Sequence, residues 1–296
     1  MSTVLLVNPA AGRGRAGRVR EAALAACRAQ WPDTTVLETT APGGGVALAR
    51  QAVDQGAERV LVLGGDGTVH EAANGILTAG RNPPPPLGVI PVGTGNDYAK
   101  LVNVHGLGVA EAVRRLAAAR VVRLDAGHAW GEYFINAVGA GFDAEVARRV
   151  NGFRRLEGTP AYLLAVFEAF ASFRPPNLRV ESEELTFEEP LMLIEIGIGD
   201  RVGGGFRLTP DARPDDGLFD VCAIRALKLG SFLLKLPLAM LGRHRRLREV
   251  RMFRTAALTV TATDGELVAQ FDGELRRRRE PLVVTIERQR LPVLIP

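Results

Sequence analysis

The sequence predicts two regions: an α/β N-terminal domain on a mostly parallel sheet, then a C-terminal domain that is mainly β. Three observations predict this. The first third alternates short runs that are apolar throughout with Ala-rich helical patterns. Strands buried on both faces and separated by helices mark a parallel sheet. Glycine-rich turns follow three of those runs directly. Past about Leu124 the texture changes to glycine pairs and short alternating segments such as "EYFINAVGAG", "PLMLIEIGIG" and "RTAALTVTATDG", which read as antiparallel strands.

In order along the chain, Thr3–Val7 is a continuous apolar strand and Gly17–Gln30 an Ala-rich helix. Thr35–Glu38 reads as a strand, Val46–Gln55 as a helix, Arg59–Leu63 as a buried strand and Val69–Thr78 as a helix. "RNPPPP" can only be a rigid loop. Leu87–Pro91 returns to strand and Gly108–Ala118 to helix. We expect the first domain over 1–125 and the β-rich domain over 126–285, interrupted by helical patterns at Thr159–Phe173 and Leu229–Leu241. Residues 286–296, ending "LPVLIP", are expected to form a strand that returns to the first domain.

Composition narrows the class. The chain has 296 residues, 47% of them apolar, and a formal charge of +4. That is a globular chain with a mild preference for anionic partners such as nucleotides, phosphates or acidic membranes. Cys27 and Cys222 are the only cysteines, too few for a disulfide scaffold or a four-cysteine zinc site. The opening "MSTVLLVNPAAGRG" lacks a basic segment before its apolar run, so it reads as a strand and not as a signal peptide. No stretch reaches the roughly 18 uncharged apolar residues of a membrane span. A cytoplasmic chain is expected.

The glycine turns carry the first chemistry. Gly64, Gly65 and Gly67 follow a strand and precede a helix. Glycine lets a ligand approach the backbone, exposed N–H groups bind phosphate oxygens, and the helix adds its positive end. Asp66 would hold a cation-coupled water, a ribose hydroxyl or a loop donor. A tight structural turn capped by Asp66 is the plainer alternative. The motif is neither a Walker A loop nor GxGxxG. "NPAAGRG" places Asn8, Ala10, Gly12 and Arg13 at the end of the first strand, where Arg13 could pair with phosphate. "VIPVGTGNDYAK" repeats the theme with Gly93, Thr94 and Gly95, while Asn96 and Asp97 cap the next helix or reach the ligand. Three such loops at successive strand ends argue for one shared crevice, and we read its ligand as ATP.

Acidic residues form a second group. "TPDARPDDGLFD" holds Asp211, Asp215, Asp216 and Asp220; a cation, arginine or solvent must relieve their repulsion. "QFDGEL" sets Asp272 and Glu274 around Gly273. They share a face if the strand persists, or flank a hairpin turn at "DG". Sequence reasoning leaves both open.

The ordered set "NPAAGRG", "GGDGTVHE", "PVGTGNDYAK", "FINAVGAGFDAEV", "GGGFRLTPDARPDDGLFDV" and "FDGE" resembles the diacylglycerol-kinase-like family of bacterial lipid kinases, diacylglycerol kinases and sphingosine kinases. The resemblance spans almost the whole chain. It implies an N-terminal nucleotide-binding domain, a C-terminal β-sandwich-like domain, and ATP in the cleft between them. By matching motif, Asn8, Pro9, Ala10, Gly12 and Arg13 would line the nucleotide, with Thr40 (or Thr39) after the second strand. Gly64, Gly65, Asp66, Gly67, Thr68, Val69 and His70 would form the central ATP loop, with Thr94 nearby. Asp97 would position a cation water or the acceptor. Glu274 would be the proton acceptor and Asp272 its partner, although the base role is sometimes assigned to the Asp66 position. A structural Mg²⁺ would fall on the carbonyls of Arg213 and Leu218 and the carboxylate of Asp216, and a catalytic Mg²⁺ would arrive with ATP. His70 stands where many relatives carry Asn. It reads either as a loop-facing polar residue or as a nucleotide contact.

The implied activity is ATP-dependent phosphorylation of a lipid alcohol at a membrane surface. Diacylglycerol is favoured, with phosphatidylglycerol, another lipid alcohol or a sphingoid base as alternatives. Soluble NAD and a non-catalytic lipid- or nucleotide-binding role are the competing classes. No nucleic-acid partner is implied, and a homodimer is compatible. Leu227–Leu241, with Lys228 and Lys235 and the following "GRHRRLR", reads either as a surface for anionic lipid or as a core helix with a solvated basic loop. Pro160–Phe173 is a candidate wall of an acyl-chain pocket.

Overall fold

The computed structural model describes residues 2–142, 145, 168–170 and 173–296. Its N-terminal part is an α/β unit. Strands β1 (Thr3–Val7), β2 (Thr35–Glu38), β3 (Arg59–Gly64) and β4 (Leu87–Pro91) are parallel in the order β2-β1-β3-β4. Helices α1 (Ala11–Gln30), α2 (Gly44–Asp54), α3 (Asp66–Thr78) and α5 (Val109–Ala117) cover them, with the short α4 at Asp97–Leu101. Leu5, Leu6, Leu61, Leu63 and Ile90 are fully buried, each contributing about 1.5–3 kcal/mol relative to exposure. This is why the central strands read as unbroken apolar runs.

Three helices begin earlier than the periodicity predicts; α2, expected from Val46, starts at Gly44. α1 was expected from Gly17 but starts at Ala11, with Gly12, Arg13 and Gly14 all at positive φ. Its first turn is therefore a loop of left-handed residues and not regular helix. α3 was expected from Val69 but starts at Asp66, whose charge suits the positive end of a helix.

The C-terminal part is antiparallel. β5 (Arg120–Ala129) pairs β6 (Glu132–Phe134) and β15 (Leu282–Ile295). β7 (Ala137–Gly141), β9 (Thr186–Gly197), β10 (Phe219–Arg225) and β11 (Val250–Thr255) form one run, with β13 (Leu267–Phe271) and β14 (Glu274–Arg278) on the other side of β7. β8 (Asn177–Ser182) and β12 (Ala257–Ala262) link β9 to β15. Phe134, Phe219 and Phe271 stack at the centre of its core. β15 joins the two parts. Its first residues pair β12, and Val293 pairs Leu87 of β4.

Leu229–Met240 forms helix α6, and Phe232 is its buried residue. It is a surface helix. The helix expected over Thr159–Phe173 lies outside the described residues except for 168–170, which are helical, and Phe173. The acyl-pocket expectation lies there too. Among the described residues, no helix is long and apolar enough to cross a membrane.

Candidate active site

The three glycine loops touch one another through their backbones. A Cβ on Gly93 would sit 2.6 Å from Gly65 Cα, and one on Gly12 would run into the Val92 carbonyl. Any side chain at these positions would push the loops apart. Polar links complete the join. Asn8 Nδ2 donates to Thr68 Oγ1 at 3.1 Å, and Val92 N–H donates to the Gly64 carbonyl at 3.0 Å.

The loops open on a cleft of about 660 Å³. Asn8, Pro9, Ala10 and Gly12 line it from the first loop, Thr39 and Thr40 from the second strand's end, and Gly65, Asp66, Gly67 and Thr68 from the central turn. Thr94 lies on its third side, and Glu274 closes it from the C-terminal part. Both candidate threonines are therefore present. The start of α3 gives the cleft free N–H groups and positive potential, a setting for an anion.

Four of the nucleotide-binding candidates do not line this cleft. Arg13 is exposed beside it, and Gly64 lies beneath, against Thr68. Val69 packs into the hydrophobic core. His70 is 2% exposed and points away. It is neither loop-facing nor a wall of the cleft.

Asp66 lines the cleft, and the buried Asp97 lies close behind it. A Cβ on Gly95 would lie 3.0 Å from Asp66 Oδ2 and 3.9 Å from Asp97 Oδ2. Asp66 accepts the Tyr98 N–H at 3.1 Å; Asp97 accepts Lys100 Nζ at 2.8 Å and the Gly204 N–H at 2.6 Å. Burial, then the Asp97 charge, pushes the Asp66 pKa upward, against the backbone N–H groups that it accepts. A divalent cation would relieve that repulsion, so this pair fits one. The Gly203–Gly205 loop that reaches Asp97 went unassigned in the sequence, where it was only part of a longer motif.

Asp272 and Glu274 separate. Asp272 (φ 50°) and Gly273 (φ 97°) form a two-residue hairpin turn between β13 and β14, with Phe271 opposite Glu274. The hairpin reading holds, and the two side chains do not share a face. Glu274 points into the cleft, its Oε1 2.8 Å from where a Gly67 Cβ would lie. Among the described residues its carboxylate accepts no hydrogen bond, and the Arg276 charge acts on it from a distance.

Asp272 turns inward, with its side chain 4% exposed. It accepts the N–H groups of Ile135, Asn136 and Ala137 at 2.9–3.0 Å and faces His70 Nδ1 at 2.8 Å. So placed, it cannot reach a ligand in the cleft. This corrects its expected catalytic role. His70 Nε2 faces Glu132 Oε1 at 2.8 Å, and Arg276 donates twice to Glu132. Burial opposes a charge on His70, but the hydrogen bonds it donates to Asp272 and Glu132 outweigh it and lift its pKa to about 9. Burial would raise the Glu132 pKa, yet His70 and Arg276 bring it down to about 2. Glu132, Asn74 and Arg276 were missed in the sequence because their partners lie far along the chain.

Glu71 also went unassigned. Its carboxylate accepts the Gly43 and Gly45 N–H groups at 2.9 and 2.8 Å, which pins the Thr39–Gly43 wall of the cleft to α3.

The residues expected to hold a structural Mg²⁺ contact protein groups in this structure. Asp216 Oδ2 is paired with the Arg254 guanidinium, and Oδ1 accepts the Leu218 N–H at 3.1 Å. Asp125 already ties the loop, accepting Gly217 N–H at 2.7 Å and Gln289 N–H at 2.6 Å.

Family models match both parts of the chain. Residues 2–129 match the diacylglycerol kinase catalytic domain, and residues 136–295 match the YegS C-terminal NAD kinase beta sandwich-like domain. The chain belongs to the diacylglycerol kinase-like lipid kinase family. It is 30% identical over 213 residues to a diacylglycerol kinase of Bacillus subtilis, covering 72% of this chain and 70% of that one. It is 35% identical over 220 residues to a probable lipid kinase YegS-like of Chromohalobacter salexigens, covering 72% of this chain and 66% of that one. A crystal structure of a putative diacylglycerol kinase from Bacillus anthracis superposes with a TM-score of 0.81 at 21% identity, covering 100% of this chain and 97% of that one. Family membership supports phosphoryl transfer to a lipid as the general activity.

Proposed function

We propose that the protein transfers the γ-phosphoryl group of ATP to a lipid hydroxyl, with diacylglycerol as the acceptor and phosphatidic acid as the product. One observation carries this reading: three glycine loops and the carboxylate of Glu274 meet in a single cleft of about 660 Å³. The central turn and the start of α3 would bind the phosphates through backbone N–H groups. Asp66 and Asp97 would hold the Mg²⁺ that travels with the nucleotide, whose chemistry is neutralisation of phosphate charge. Glu274 would take the proton from the lipid hydroxyl as its oxygen bonds to the γ-phosphorus and the bond to ADP breaks.

Helix α6 supports docking of a cytoplasmic enzyme on a membrane. Leu229, Leu234, Met240 and Leu241 are all exposed, Leu234 by 80%. Arg243, Arg245, Arg246 and Arg248 follow, also exposed. Apolar side chains beside a basic cluster suit an anionic bilayer.

The test is transfer of radiolabelled γ-phosphate into mixed micelles of diacylglycerol, phosphatidylglycerol, ceramide or sphingosine, with soluble NAD in parallel. Label in diacylglycerol is expected. Label in another lipid would move the acceptor, and label in NAD alone would overturn the lipid reading.

A further inference from the structure

His70 sits on the helix that forms the cleft but takes no part in lining it. Both of its ring nitrogens face carboxylate oxygens at 2.8 Å, Asp272 on one side and Glu132 on the other. A neutral imidazole has one N–H and would turn a lone pair toward one of those carboxylates. Only the imidazolium donates to both. With the partly exposed Arg276 on Glu132, the cluster has two cations and two anions.

The cluster connects the two sides of the cleft. Gly67 and Thr68, which line the cleft, stand on α3 within one turn of His70. Asp272 opens the hairpin turn whose next strand begins with Glu274. Asn74, one turn further along α3, donates to the Tyr133 carbonyl at 2.9 Å and accepts the Tyr133 N–H at 2.9 Å. α3 is thus fastened to β6 and to the hairpin at the same level. Asp272 and Gly273 both hold left-handed backbone, which for Asp272 must be maintained by its surroundings. Four hydrogen-bond partners on its carboxylate do this. One of them, His70, can lose its proton.

We propose that His70, as an imidazolium, is a positioning residue that ties the phosphate-binding helix to the hairpin turn presenting Glu274, and so sets where Glu274 stands in the cleft. The inference rests on the reading of Glu274 as proton acceptor. It gives His70 a role that the nucleotide-contact reading does not. The charged and titratable groups around the imidazole are Asp272 on the turn, Glu132 on β6, Arg276 on β14 and the buried Tyr98 hydroxyl on α4. Burial and the Asp272 charge push the Tyr98 pKa upward, so it stays neutral. The group that changes charge as pH rises through about 9 is therefore His70.

The experiment compares wild type with His70→Asn and His70→Gln. It measures kcat at saturating ATP and lipid, nucleotide Kd by calorimetry, the pH profile, and hydrogen exchange at the amides of Ile135–Ala137, Gly273 and Glu274. We expect kcat to fall roughly 10–100-fold, the scale of a small misplacement of a reacting group, with nucleotide Kd unchanged. Wild-type kcat should decline as pH rises through about 9, and the variants should lose that limb. Exchange at the five amides should accelerate. Unchanged kcat with an unchanged pH profile would overturn the proposal, as would a loss confined to nucleotide Kd. Should wild type label no lipid, the functional reading fails separately. Exchange then decides for His70: faster exchange in the variants supports the tie, and identical exchange refutes it. Glu132→Gln, which removes one anion and keeps the packing, takes over the same measurements if the His70 variants do not fold.

Discussion

The cleft and the buried cluster behind it use the same residue types in opposite ways. At the cleft, Asp66 feels the charge of Asp97 behind it, and Glu274 accepts no hydrogen bond among the described residues and feels Arg276 only through its charge. Behind the turn, Asp272 is saturated by three N–H groups and His70, and Glu132 is held by His70 and Arg276. Two carboxylates only two residues apart thus have different work. The one left unsatisfied is available for chemistry, and the saturated one holds the backbone that aims it. A left-handed two-residue turn separates their directions, and a continuous strand would not have done so.

The largest effect is expected on the open side. Glu274→Gln should lower kcat by about 10²–10⁴-fold, the range for a lost general base, and leave melting unchanged. Asp272→Asn should do the reverse first. It breaks a buried charged network, which costs about 3–5 kcal/mol, and thermal melting should register most of that. A stable Asp272→Asn protein with normal melting would erase the distinction between the two carboxylates. The cluster should also make stability depend on pH. The His70 pKa is raised in the folded state from 6.5 to about 9. Its contribution is therefore complete below pH 6.5 and lost as pH rises through about 9. Melting temperature should fall across that window in wild type and less so in His70→Gln.

Smaller effects sharpen the picture. Glu71→Gln weakens two charge-assisted bonds to the Gly43 and Gly45 N–H groups and should cost about 1–2 kcal/mol. The KM for ATP should rise severalfold, because the Thr39–Gly43 wall loosens while Glu274 is untouched. Arg254 pairs with Asp216 and also donates to the buried Asp220 at 3.2 Å, so Arg254→Met leaves that carboxylate unpaired and should cost about 1–3 kcal/mol. Mg²⁺ should shift the melting of wild type and Asp216→Asn equally. A Mg²⁺-dependent gain seen only in wild type would restore Asp216 as a metal ligand.

The parallel strands were legible because β1, β3 and β4 are buried on both faces and so carry continuous apolar runs. The glycine loops were legible because Gly12, Gly65 and Gly93 meet backbone to backbone, and only glycine allows that. Helix starts were not. The left-handed residues Gly12–Gly14 and the uncapped start at Asp66 leave no periodic signal. The direction of Asp272 was equally hidden, since it depends on the N–H groups of residues 135–137, more than 130 positions away. His70 was visible as a departure, but its partners Asp272 and Glu132 come from two other elements. The acidic cluster around Asp216 left a cation, arginine or solvent open as its relief, and the structure supplies an arginine. That arginine lies 38 residues further along.

The measurement that tests the central claim most directly is single-turnover transfer of radiolabelled γ-phosphate to diacylglycerol in mixed micelles, at saturating ATP, for wild type and Glu274→Gln. The account predicts label in the lipid for wild type, a rate at least about 100-fold lower in the variant, and equal ATP affinity in both. A variant that transfers phosphate at the wild-type rate would contradict Glu274 as the proton acceptor. ATP bound with no label in any lipid would contradict the cleft as the site of lipid phosphorylation.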